Sequence, residues 1–208
     1  MTRQTAQAHR INIEAGQPSV FEALSTAEGW SRWFTPEVTG DFTDGSQIVC
    51  RLNGAAAGLG ASIALLCDVI VANETALIGD PHVRVGLVAG DGGAVIWPQL
   101  VGFARAKEFL MTGEMLSARR AADIGLINYA VSGDQLDSKV AEVVGKILAN
   151  PRWAVRWTKT AANIPLKMLA NQISDAAIAY EILSNLTKDR GEAVAAFVEK
   201  RKPVFSGE

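Results

Sequence analysis

Cysteine is nearly missing from this chain: two residues among 208, Cys50 and Cys67. They form no CxxC pair and accompany no histidine cluster, which argues against both a thiolate metal site and a disulfide framework. Charge of one sign is also missing. The formal net charge is −2, so nothing points to nucleic acid. Long apolar runs are absent too. The longest, Ala55 to Cys67, is cut by Gly58 and Gly60 and followed by Asp68, short of the roughly 20 residues of a membrane span. The opening MTRQTAQAHR lacks the apolar core of a signal peptide. Neither GxGxxG nor GxxxxGK[ST] occurs, which excludes the dinucleotide and nucleotide-loop readings. The expectation is a soluble, cytoplasmic protein without metal or cofactor. What remains is an ordinary globular composition, 49% hydrophobic and 20% charged, enough for one sizeable core plus an appendage. The basic cluster Lys200, Arg201 and Lys202 reads as a solvated helix end, favoured by the macrodipole.

Two unequal parts follow. In residues 1–46, RINIEA alternates like a half-buried strand, Pro18 sits near a helix start, and Asp44-Gly45 makes a turn. Trp30, Trp33 and Phe34 lie between. From Gln47, IVCRL reads as a buried strand ending at Asn53-Gly54, ASIALLC as a short apolar helix and VIVA as the next strand. Strand, glycine turn, helix and strand make a βαβ unit with parallel pairing. Beyond Gly92 the pattern is mostly helical. Ser117 is an expected N-cap and Gly125 a C′ residue. Asp134 is expected to open a helix with Leu136, Val140, Val143, Val144 and Ile147 on one face. Three further helices are expected over 152–163, 166–188 and 190–200, with Pro165 and Gly191 as punctuation.

The residues that could carry chemistry begin at the glycine turn. Gly58 and Gly60 allow a sharp turn and a close approach to the main chain. The first N–H groups of the helix, near Leu59 and Gly60, have no intrahelical partner and sit at the positive end of the dipole. They can donate to a carbonyl oxygen that gains negative charge during a reaction.

Three blocks follow at fixed spacing: GDPHVRVGLVAGDGGAVIWPQLVG (79–102), RAKEFLMTGEMLSARRAADIGLIN (105–128) and DRGEAVAAFVEKRKPVFSGE (189–208). With NGAAAGLGASIALLCD (53–68) they resemble the crotonase (enoyl-CoA hydratase/isomerase) family over 47–208. The resemblance implies an α/β fold: an N-terminally truncated β-β-α spiral core (47–133), then a helical trimerisation region (134–208). It implies a homo-trimer or dimer of trimers, and a coenzyme A thioester as substrate, its carbonyl held between two backbone N–H groups. Residues 1–46 resemble instead the start of an SRPBCC or Aha1-type helix-grip domain, through VFEALSTAEGWSRWFTPEVTGDFTDG (20–45). The chain thus reads as a fusion, with the family's first oxyanion loop missing and Leu59 N–H as the remaining donor.

At the two positions where family hydratases carry glutamates, this chain has Ser62 and His82. Asp91 lies one residue from the place where some family isomerases carry an acid. Without those glutamates, hydration of crotonyl-CoA is expected to be absent or very slow. His82 can still shuttle a proton near neutral pH, and a Ser62–His82–Asp91 nucleophilic triad is a further, less favoured reading. Three functions are therefore weighed: an acyl-CoA hydratase or isomerase, a non-catalytic acyl-CoA-binding relative, and an apolar-ligand module lined by Trp30, Trp33 and Phe34.

Overall fold

Glycine and proline interrupt the apolar runs of this chain, so its strands are short and its sheets are built by stacking short turns of chain. The computed structural model describes Gln47–Glu208; the expectations for residues 1–46, the helix-grip resemblance included, lie outside the described residues. In chain order the elements are β1 (Val49–Leu52), β2 (Ala56–Ala57), α1 (Leu59–Leu65), β3 (Val69–Asn73) and β4 (Leu77–Gly79). Then come a 3₁₀ turn (His82–Val85), α2 (Gly93–Thr112), β5 (Met115–Ser117), α3 (Ala118–Asp123) and β6 (Tyr129–Val131). After a second 3₁₀ turn (Gly133–Gln135) follow α4 (Leu136–Leu148), α5 (Arg152–Ala162), α6 (Ile164–Ser184) and α7 (Lys188–Val198).

Two three-stranded sheets result, in the orders β1-β3-β6 and β2-β4-β5. β1 and β3 pair in parallel with Val49 opposite Val69 and Leu52 opposite Ala72, as the βαβ reading requires. Each chain turn sends one strand to the first sheet and one to the second, the β-β-α repeat of a spiral. Between the sheets and helices lies a core that includes Leu65, Ile78, Trp97, Phe109, Leu116 and Leu126, all at most 3% exposed. Trp97 and Phe109 meet with ring centroids 6.0 Å apart, a tilted contact that adds to their area burial. A smaller cluster joins Val71 of β3 to Leu136 and Val143 of α4, flanked by Val140 and Ile147. That is the helical face expected from the sequence.

Several boundaries differ from expectation. A strand, β6, forms at Tyr129–Val131 in the stretch expected to be mostly helical, just after Leu126 and Ile127 turn inward as core. Pro165 does not interrupt a helix. It occupies the first turn of α6, where no intrahelical partner is needed for its missing N–H. Gly191 likewise lies inside α7, whose cap is Thr187, accepting from Arg190 N–H. A 3₁₀ turn intervenes before α4, which begins at Leu136 rather than Asp134. Ser117 does cap α3, its hydroxyl accepting from Arg120 N–H, and Gly125 takes positive φ just beyond.

Two tethers hold the C-terminal helices to this core. Lys159 of α5 donates to Asp68 at 2.7 Å, and the same carboxylate oxygen accepts Ile48 N–H at 2.7 Å. Arg190 of α7 donates to the Val85 carbonyl, and Ser184 Oγ of α6 accepts Val88 N–H. The second pair fixes the loop after the first 3₁₀ turn, and that loop carries Asp91.

Candidate functional site

The site is assembled at the start of α1. Gly58, at φ 54°, turns the chain out of β2, and its N–H donates to the Gly79 carbonyl at the end of β4. This contact brings residues 80–82, which leave β4, beside the glycine turn. A Cβ on Gly58 would stand 3.0 Å from Cε1 of His82. The absence of a side chain at 58 therefore lets the imidazole lie against the backbone that opens α1. Leu59, whose N–H is the candidate oxyanion donor, is the first residue of α1, and Gly60 follows with open space where a Cβ would be.

Ser62, His82 and Asp91 come together. Ser62, 1% exposed, donates to Asp91 Oδ1 at 3.3 Å. Asp91 Oδ2 lies 3.4 Å from His82 Nε2. On the far side of the ring, His82 Nδ1 is 2.5 Å from Asp80 Oδ1. The order is thus Ser62, Asp91, His82, Asp80, with a carboxylate between serine and imidazole. A nucleophilic triad needs the imidazole next to the hydroxyl, so the triad reading is corrected to a carboxylate–imidazole–carboxylate chain that Ser62 helps to orient.

Two members of this site were not singled out from the sequence. Asp80 lies two residues before His82 in GDPH, a spacing that lets its Oδ1 also accept the His82 N–H at 3.4 Å. The short polar side chain closing a turn on its own backbone was the available signal. Glu181 comes from α6, about a hundred residues on, and nothing local announces it. α6 crosses the loop so closely that a Cβ on Gly90 would lie 2.4 Å from the Ala177 carbonyl oxygen and 2.8 Å from Glu181 Oε2.

Charge and burial push the titrating groups in one direction. His82 is raised above its ordinary value, first by its hydrogen bond to Asp80, then by the charges of Asp80, Asp91 and Glu181, against the cost of burial. Asp91 is raised above the usual carboxylate range, first by burial, with Asp80 adding and His82 opposing. Glu181 is raised by burial and then by Asp91. A group of carboxyls that ionise reluctantly around one imidazole that holds its proton is suited to passing protons near neutral pH.

The same residues are the one candidate metal cluster among those described: donor atoms of Asp80, His82 and Asp91 lie within 4.8 Å of one another. A tetrahedral ion about 2.0–2.2 Å from each donor would have to draw them closer. Both ring nitrogens already face carboxylates, so the spacing fits a hydrogen-bonded chain rather than a metal cage. A separate cavity of about 810 Å³ opens at the other end of α1, lined by Leu65, Leu66, Cys67, Tyr129, Ile147 and Lys159 among others. It holds none of the site residues.

Comparison with known proteins identifies the family of this chain. The sequence model of the Enoyl-CoA hydratase/isomerase family matches residues 43–208. A crotonyl-CoA hydratase of Syntrophomonas wolfei is 36% identical over 159 residues, which are 76% of this chain and 61% of that protein. A solved enoyl-CoA hydratase/isomerase of Mycobacterium paratuberculosis is 38% identical with a TM-score of 0.67, covering 72% of this chain and 59% of that one. A solved carnitinyl-CoA dehydratase of Mycobacterium avium superposes with a TM-score of 0.74 at 28% identity, covering 87% and 71%. The chain spans about six tenths of the length of curated relatives it matches. The expected spiral α/β fold is the fold found, and the chain belongs to the enoyl-CoA hydratase/isomerase, or crotonase, family.

Proposed function

We propose that this protein handles acyl-CoA thioesters and moves a proton on the acyl group, in chemistry of the hydratase/isomerase type. The observation that carries the reading is the His82 ring lying between two carboxylates, against Gly58 of the glycine turn. In this reading Leu59 N–H, freed by Gly58 and Gly60, holds the thioester oxygen as it gains charge. His82 and Asp91 take and return the proton, and Ser62 orients Asp91. Relatives named for crotonyl-CoA hydration and carnitinyl-CoA dehydration act on such thioesters. Both reactions move a proton at the carbon beside the carbonyl.

Hydration also needs water activated opposite that proton, which family members achieve with two glutamates. Ser62 and His82 occupy those positions here, so exchange of the α-proton should outrun addition of water.

Assembly belongs to the same reading. The C-terminal helices carry Trp153, Trp157, Met168, Ile182, Leu183 and Phe197, all more than half exposed. Apolar surface of that extent marks an interface, and closed rotational symmetry satisfies it. We infer a homo-trimer, or a dimer of trimers, built through α5 to α7.

Thermal shift with acetyl-CoA and crotonyl-CoA tests binding. Mass spectrometry of crotonyl-CoA and butyryl-CoA incubated in D₂O tests proton transfer. Stabilisation by either thioester with His82-dependent deuterium uptake supports the proposal. Binding without uptake would favour the non-catalytic reading instead.

A further inference from the structure

Asp80 is the most deeply buried charged side chain described in this site, 1% exposed, and its environment is built around it. One oxygen meets His82 Nδ1 at 2.5 Å. The other, Oδ2, has no hydrogen-bond partner among the described residues. It points at the start of α2, a helix kinked at Gly102, where a Cβ on Gly93 would come within 2.0 Å of it. No side chain other than hydrogen fits at 93 while Asp80 stands there. The positive end of α2 offsets the burial of that oxygen, as the imidazole does for its neighbour.

We infer that Asp80 is a positioning residue. It fixes the tautomer of His82, holding the proton on Nδ1, so that Nε2 is the nitrogen that faces Asp91 and exchanges protons with substrate. The other groups facing the ring do not duplicate this role. Asp91 meets Nε2, and Glu181 acts on the ring through its charge from α6. Among the described residues, Asp80 alone addresses Nδ1. A buried carboxylate that orients an imidazole contributes mainly by selecting tautomer and favouring the imidazolium, so its replacement by the isosteric amide disables the base while leaving the shape.

The catalytic consequence rests on the proposed acyl-CoA chemistry; the tautomer itself does not. The chain has two histidines, His9 and His82, so His9→Gln leaves one imidazole to follow by ¹⁵N NMR. In the otherwise unaltered full chain, the neutral His82 ring should carry its proton on Nδ1. In Asp80→Asn the neutral ring should shift to the Nε2–H form, and its pKa should fall by about one unit or more. A neutral ring protonated at Nε2 in the unaltered protein would overturn the inference even if Asp80→Asn does not fold. So would an unchanged pKa in a folded Asp80→Asn. With acyl-CoA, Asp80→Asn should lower kcat by about 10²-fold or more with KM within a few-fold. An unaltered protein with the Nδ1–H tautomer but no turnover would contradict the functional proposal and leave the role of Asp80 standing.

Discussion

Tryptophan has opposite fates in the two halves of the described chain. Trp97, in the spiral core, is fully buried against Phe109. Trp153 and Trp157 of α5 stack on one another, centroids 5.5 Å apart, with 56% and 66% of their surface exposed. The core closes on itself and places its polar groups at one end of α1. The C-terminal helices do not close. They contribute Glu181 and the tethers of the Asp91 loop inward and leave an apolar face outward. One half holds the candidate site and the other leaves an apolar face exposed, and the first draws a charged group from the second.

That contrast can be broken from the core side first. His82→Ala or Asp91→Asn should reduce acyl-CoA proton exchange by about 10²–10⁴-fold, with circular dichroism unchanged. Exchange that survives both changes would mean the chain of carboxylates around His82 is only structural. Gly93→Ala should be the most damaging conservative change for folding. Its methyl would strike the Asp80 carboxylate, at a cost of about 1–3 kcal/mol from overpacking, read as a lowered denaturant midpoint. Because Asp80 must move, the His82 resonance should shift as well.

From the other side, Trp153→Ser with Trp157→Ser should lower the oligomeric mass in sedimentation while leaving the spiral core folded. An unchanged mass would show that α5 is not part of the interface. Ser117→Ala, remote from both features, should cost only about 1 kcal/mol through loss of the α3 cap.

The pH dependence separates the halves again. A histidine whose folded pKa is raised stabilises the fold fully below its unfolded value, about 6.5. That contribution fades as pH rises through the higher folded value. Stability should therefore decline with pH above about 6.5, and the decline should flatten in His82→Gln. Asp91 and Glu181, also raised, act in the same direction from their own lower range upward. A decline unaffected by His82→Gln would place the titrating group elsewhere.

How much of this could be read from the sequence depends on distance along the chain. The glycine turn, α1 and the parallel β1–β3 pair follow from local pattern, and the family resemblance led to Ser62, His82 and Asp91. Their order did not follow, because whether a carboxylate or an imidazole sits beside Ser62 depends on how the 86–92 loop folds back. Asp80 was within reach as a turn-closing residue beside His82. Glu181 was not, since its position is set by α6 crossing Gly90, a contact between residues some ninety positions apart. Boundaries slipped where packing overrode local signals: β6 formed beside the buried Leu126 and Ile127 in a stretch that reads as mostly helical, and Pro165 served as a helix start.

The most direct measurement is deuterium uptake at the α-carbon of an acyl-CoA in D₂O, compared between the unaltered protein, His82→Ala and Asp91→Asn at one protein concentration. The account predicts uptake by the unaltered protein, loss of it in both variants, and slower formation of the hydrated product from crotonyl-CoA than exchange. Uptake equal in all three proteins, or none in the unaltered protein despite thioester binding, would contradict it.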